Sequence, residues 1–294
     1  MMIIVYNCFT SRSRHPREFA GYWWRMRKLL ISFSTFLIAS GTASVLQAQP
    51  VSITPGGVVN AASFVQGQTI APGSLLAIFG NSLAPQLAQA DSVPLATSLA
   101  NVSVTFNGIA APLDFVSSGQ INAQVPFEVP STGTVNVVVN NNGTPSAPQT
   151  ITVSQLSPGI FQFNNHAIAV NVTDPTSARY ATISAPSGSI QGLTTFPAQI
   201  GDILFLYATG LGPTNPAVAS GHGAGTVTAP TTTNPVVMVG GTGSNVLFSG
   251  LTSGFPGVYQ VNFVIPQVAS GSAVPLQIQM GGITTPNTTN IAVQ

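Results

Sequence analysis

Gly119-Gln120-Ile121-Asn122-Ala123-Gln124-Val125-Pro126 decides how this chain folds, because the chain writes it twice. The second version, Gln260-Val261-Asn262-Phe263-Val264-Ile265-Pro266, keeps the pattern Gln-x-Asn-x-x-x-Pro with apolar residues between. Successive side chains of an extended segment point to opposite faces. Ile121, Ala123 and Val125 therefore share one face, as do Val261, Phe263 and Ile265 in the repeat. The amides Gln120 and Asn122, like Gln260 and Asn262, share the other. Proline has no N–H for a ladder and ends the pairing just beyond. A repeated amide-bearing strand implies a repeated β domain.

Working outward, the apolar run Gly73-Ser74-Leu75-Leu76-Ala77-Ile78-Phe79-Gly80 reads as a strand buried on both faces. Residues 102–108 alternate cleanly and end in Asn107-Gly108, a strong hairpin signal. Further strands are expected at 112–116, 134–139 and 150–153, with a turn at Asn140-Asn141-Asn142-Gly143. Short strands, polar turns and no helical period argue for an antiparallel sandwich. The second half repeats the order: Gly201-Asp202-Ile203-Leu204-Phe205-Leu206-Tyr207 matches the Gly73 strand, 236–241 matches 102–108, and Val246-Leu247-Phe248 matches 113–115. The offset between copies grows from 128 at Gly73/Gly201 to 140 at Gln120/Gln260. The added length is expected in residues 214–234, a Gly/Thr/Ala-rich surface loop. Residues 156–197 belong to neither copy. They carry Ile160, Phe161, Phe163 and Tyr180, which call for burial, and a hairpin around Asp174-Pro175-Thr176-Ser177. The expected division is a leader over 1–48, a first sandwich over 49–155, a connector with a β-hairpin over 156–197, and a second sandwich over 198–294.

The leader places Arg25-Met26-Arg27-Lys28 before a mostly apolar run at 29–39 and small residues up to Ala48. That is the layout of a secretory signal, with cleavage expected after Ala48 and Ala43 as the alternative. The run is well short of the ~20 apolar residues of a membrane span. Met26 opens a well-proportioned signal of its own, so translation is expected to begin there. No cysteine follows the apolar run, which excludes a lipobox anchor.

Beyond the leader the chain has one base, Arg179, against five acids, Asp91, Asp114, Glu128, Asp174 and Asp202. Such a body cannot neutralise a run of phosphates or an anionic bilayer, so nucleic acid and membrane surfaces are excluded as partners. The single cysteine, Cys8, lies in the leader, leaving the body without a disulfide, a thiolate metal site or a cysteine nucleophile.

Several motifs together resemble one family, the Solibacter-type uncharacterised C-terminal domain of secreted acidobacterial proteins. They are Gly57-Val58-Val59-Asn60-Ala61-Ala62-Ser63-Phe64, Ala71-Pro72-Gly73-Ser74, Ser118 through Pro126, Ser157-Pro158-Gly159-Ile160-Phe161, Tyr207-Ala208-Thr209-Gly210-Leu211-Gly212-Pro213 and Tyr259-Gln260-Val261-Asn262. The resemblance covers residues 53–293. It implies immunoglobulin-like modules comparable to IPT/TIG domains, and export from the cell. It carries no assigned activity and hence no functional residues. The fold expected is all-β: two immunoglobulin-like antiparallel β-sandwich domains joined by a structured β connector.

For the amide pairs, the structural reading is that they tie down the backbone of a neighbouring loop, since buried loop polar groups demand partners. The rival is a polar recognition patch. His166 and His222 are the histidines of the body, and His222 with a serine and Asp202 is the one conceivable hydrolytic set. No Gly-x-Ser-x-Gly elbow supports it. Neither a calcium loop nor a His-x-x-x-His pair is present, so no metal and no cofactor is expected. Asn101, Asn142, Asn171 and Asn287 open glycosylation sequons, a motif too common to count. The resulting expectation is a non-enzymatic, exported module with a structural or adhesive role at the cell envelope or matrix, displaying loops such as 214–234. Its partner would be a neutral polysaccharide or an envelope protein. The alternative is a polysaccharide-binding module, for which Tyr180, Tyr207 or Tyr259 could stack on sugar, and behind it a secreted hydrolase. With so little charge, self-association through exposed strand edges is also expected.

Overall fold

Alternation places the motif strand where the pattern requires. Ile121, Ala123 and Val125 are fully buried in a core with Leu76, Ile78, Phe106 and Val137. Val261, Phe263 and Ile265 lie in a second core with Leu204, Leu206 and Leu276. Burying each large aliphatic or aromatic side chain contributes about 1.5–3 kcal/mol, which makes the register hard to slip. The surroundings repeat as well. Ile121 faces Ile78 across the sheet, and Val261 faces Leu206.

The computed structural model describes residues 49–286 and 289–294. The leader expected over residues 1–48, with Met26 and the cleavage site, lies outside them, as does Asn287. Among the described residues there is no helix, and so none long and apolar enough to cross a membrane. The strands form four sheets. The first runs Ser52–Asn60, Leu75–Asn81, Gln120–Gln124, Leu113–Val116, Ala88–Gln89. It faces a second sheet ordered Gln149–Val153, Gly133–Asn141, Val102–Phe106, Ile109–Ala110, with the first core between them. The third runs Gly159–Ile160, Ile203–Thr209, Tyr259–Val264, Val246–Leu251, Ala229–Pro230. Opposite it, the fourth is built on Thr289–Val293, Gly271–Met280 and Val236–Val239, and the second core fills the space between. The all-β sandwich architecture expected from the sequence is therefore present twice. The Asn107-Gly108 turn also forms, with φ of 48° and 85°, the positive pair a two-residue hairpin of this kind needs.

Residues 156–197 behave differently from a connector. Gly159–Ile160 and Ala169–Asn171 both pair with Ile203–Thr209. His166–Ala167 runs parallel to Thr289–Val293. Ile160, Ala167 and Ala169 are members of the second core. The segment is thus built into the second sandwich, because its short apolar stretches find unpaired strand edges there. Ile160 and Phe161 are buried as expected, whereas Tyr180 is 41% exposed. The hairpin around Asp174 closes through Ser177 N to Asp174 O and Ala181 N to Asn171 O. Thr176 donates from Oγ1 and N to Asp174 Oδ1, and holds that carboxyl below its ordinary range.

The loop at 214–234 lies largely at the surface, as expected, and has a further role. Its tip is a clasp onto the first sandwich. Gly221 N donates to Gln124 Oε1 at 2.6 Å, and Leu95 N donates to Gly221 O at 2.8 Å. Ser220 Oγ accepts from Phe127 N and donates to Glu128 Oε2. Nearby, Leu75 N donates to Thr209 Oγ1 at 2.8 Å, and that hydroxyl donates to Gly257 O at 2.7 Å. Asn60 Nδ2 donates to Ser157 O, while Asn60 Oδ1 accepts from Ala62 N and Ser63 N. Phe127 leaves the first sandwich and packs against the second core. Residues 50–294 accordingly form one compact unit.

Gly210 sits in this junction at φ +77°, where an added Cβ would stand 2.0 Å from Ser157 O. Gly108, at φ +85°, has open space around it. Alanine at either position incurs left-handed strain of about 1–2 kcal/mol. Only Gly210→Ala adds a collision with backbone. Thermal unfolding should show Gly210→Ala lowering the melting temperature at least twice as far as Gly108→Ala.

Candidate functional site

The outward positions of the two motif strands form equivalent rows. On the third sheet Asn262 lies between Phe205 on one neighbouring strand and Phe248 on the other, and Gln260 lies opposite Tyr207. On the first sheet Asn122 lies between Ala77 and Phe115, and Gln120 lies opposite Phe79. Each pair of amides is bonded internally: Gln120 Nε2 donates to Asn122 Oδ1 at 2.7 Å, and Gln260 Nε2 to Asn262 Oδ1 at 2.8 Å. The expected role of these side chains, tying down a loop backbone, belongs instead to Gln124 and Asn60. In an extended strand, residues two apart lie on one face and within reach of each other, and this geometry favours the amide–amide bond.

A β-bulge shapes both rows. Register shifts between Leu113 and Phe115, opposite Ala123 and Asn122, and again between Val246 and Phe248, opposite Phe263 and Asn262. The extra residue turns the following phenylalanine onto the outer face beside the asparagine, as bulges re-aim side chains. The bulged residue is Asp114 in one copy and Leu247 in the other. Burial pushes the Asp114 carboxyl up to about 6. The sequence marked it only as an acid between Leu113 and Phe115, since nothing local distinguishes a bulge from a regular strand.

The two faces differ in access. Gln124 alternates onto the same side as Gln120 and Asn122, and its amide receives Gly221 while Nε2 donates to Gly73 O. Asn122 is buried there, at 2% exposure. The second copy has Val264 at the place of Gln124, and Phe205, Phe248, Gln260 and Asn262 are all partly exposed. Phe205 meets Tyr207 edge-on, with ring centroids 5.3 Å apart.

The conceivable hydrolytic set is not assembled. Asp202 is buried and engaged elsewhere: its Oδ2 accepts from Asn171 Nδ2 at 2.7 Å and Gln199 N at 2.8 Å, with Arg179 Nε 3.4 Å away. His222 bonds through Nδ1 to Ser220 O, a backbone carbonyl. Ser220 Oγ meets Glu128 and not the imidazole. His166 lies in a separate hairpin, where burial lowers its proton affinity. No cluster of three metal-ligating side chains occurs among the described residues. Tyr259 is a core residue whose hydroxyl donates to Gly212 O, and burial raises its pKa. Tyr207 is buried as well, at 6% exposure, but on the opposite side of its strand from the second core, beside Phe205. Of the sequons, Asn171 is buried at 3% exposure and bonded to Asp202, which removes it as an acceptor.

Residues 58–153 match the IPT/TIG domain. No curated protein gives a significant match. Among solved structures, a Bacteroides ovatus SGBP-B of a mixed-linkage glucan utilization locus, in complex with a heptasaccharide, is similar at 12% identity and TM-score 0.33, over 85% of this chain and 47% of that one. SGBP-B from a complex xyloglucan utilization locus of Bacteroides uniformis is similar at 12% identity and TM-score 0.25, over 83% and 50%. The I9-I11 tandem from titin follows at 8% identity and TM-score 0.19, over 84% and 67%. The chain spans about half the length of the first two. Similarity of this order transfers no residue and no ligand.

Two outcomes test this geometry. Asp114 has a folded pKa above its unfolded value of 3.8, so folding favours its protonated form. Its contribution to stability is whole below pH 3.8 and lost as pH rises through 6, a swing of at most about 3 kcal/mol. Denaturant titration of Asp114→Asn should show higher stability than the parent at pH 7 and a flatter profile between pH 4 and 7. Gln124→Val, which copies the residue of the second motif, strands Gly221 N without its acceptor. It should cost about 1–3 kcal/mol in the same assay.

Proposed function

We propose that this chain is an exported, non-enzymatic scaffold with a structural or adhesive role at the cell envelope or matrix. The reading treats residues 1–48 as its export signal, and 49–155 and 198–294 as tandem immunoglobulin-like modules, with 156–197 built onto the second. The finer kinship, with the Solibacter-type family, rests on the motifs from Gly57 to Asn262. One observation carries the reading: the polar side chains that a catalyst would need are spent on holding the body together. Asp202 anchors the Asp174 hairpin, and Ser220 and Gln124 clasp the loop tip to the first sandwich. A body joined in this way presents fixed surfaces, which suits adhesion better than turnover.

The test is fractionation of the native producer followed by binding of the purified full-length gene product to isolated envelopes. The expected result is an extracytoplasmic protein lacking the first 48 residues, retained saturably and with no hydrolytic activity. A cytoplasmic, unprocessed chain, or turnover lost in His222→Ala, would overturn it.

A further inference from the structure

We propose that the outer face of the third sheet, built on Phe205, Phe248, Gln260 and Asn262, binds an uncharged polysaccharide. This rests on the extracytoplasmic binding role above and assigns it a site and a class of ligand. The amide–amide bond uses Gln260 Nε2 and Asn262 Oδ1. It leaves Gln260 Oε1 as an acceptor and Asn262 Nδ2 as a donor, both fixed in place by the bond itself. A sugar hydroxyl both donates and accepts, so this pair is matched to it. Phe205 and Phe248 stand on the strands either side of Asn262, about 10 Å apart, a span of about two pyranose rings. Their rings offer apolar surface to the C–H faces of those sugars. Tyr207, edge-on to Phe205, holds that ring in orientation.

Charge decides the class of partner. The charged side chains among the described residues are Asp91, Asp114, Glu128, Asp174, Arg179 and Asp202, and none occupies an outward position of the Ile203–Thr209, Tyr259–Val264 or Val246–Leu251 strands. These three strands therefore present no charged side chain to a polyanion or a phosphate backbone. Divergence between the copies points the same way. The first face keeps the amides but has Ala77 in place of Phe205, and its Gln124 engages the loop tip. The second face gains the ring and, with Val264 in place of Gln124, lacks the amide that captures such a loop.

Affinity electrophoresis of the purified full-length product tests the assignment, in gels containing soluble neutral glucans, mannans or xylans, with polygalacturonate as the charged control. Retardation is expected in at least one neutral gel, undiminished by added salt, and none in polygalacturonate. Phe205→Ala and Asn262→Ala should each weaken it about tenfold or more with melting temperature checked, whereas Phe79→Ala on the first sheet should leave it unchanged. No retardation in any neutral gel overturns the proposal, as does retardation that Phe205→Ala leaves intact. Concentration-dependent dimerisation abolished by Phe205→Ala would identify a second copy as the occupant, and equally overturn it. Envelope retention that survives Phe205→Ala would remove this site and leave the scaffold role standing.

Discussion

Buried backbone groups must be paired, and between the two sandwiches this chain pairs them with neutral side chains. Thr209 Oγ1 accepts from Leu75 N and donates to Gly257 O, so one hydroxyl closes three peptide segments. Gln124 and Asn60 do comparable work with their amides. A neutral hydrogen bond stabilises by only about 1 kcal/mol, yet leaving its partner buried and unpaired costs about 1–3. The junction is held by that asymmetry more than by attraction. It also explains how a body with one base reaches a single compact unit, since few ion pairs are available to it.

Duplication supplied two copies of one face, and three substitutions separate their uses. Gln124 against Val264 decides which face receives the loop tip. Ala77 against Phe205 decides which one gains a ring beside its asparagine. Asp114 against Leu247 places a carboxyl on one bulge and an apolar residue on the other. The parts common to both, the inward aliphatic row and the Gln–Asn bond, belong to the scaffold. The chemistry that differs belongs to what each face meets.

Much of the fold was legible. The alternation around Ile121 and Val261, the Asn107-Gly108 turn and the doubled strand order are local signals, and each appears where the pattern put it. Less of the site was legible. Tyr207 and Tyr259 read alike, as tyrosines in apolar strands, and both are buried, but Tyr207 packs beside Phe205 on the outer side of its strand and Tyr259 lies within the second core. Their difference is a matter of parity within a register that pairing alone defines.

By itself, then, the sequence determined the period-two pattern, the repeat and the scarcity of charge, and with them the sandwiches. Only the tertiary structure decided that residues 156–197 join the second sandwich, that the 214–234 loop is a clasp, and which amides bond to backbone. Those outcomes depend on which strand edges and carbonyls remain unpaired after both cores close. That is a property of the assembled chain, and no local window of residues contains it.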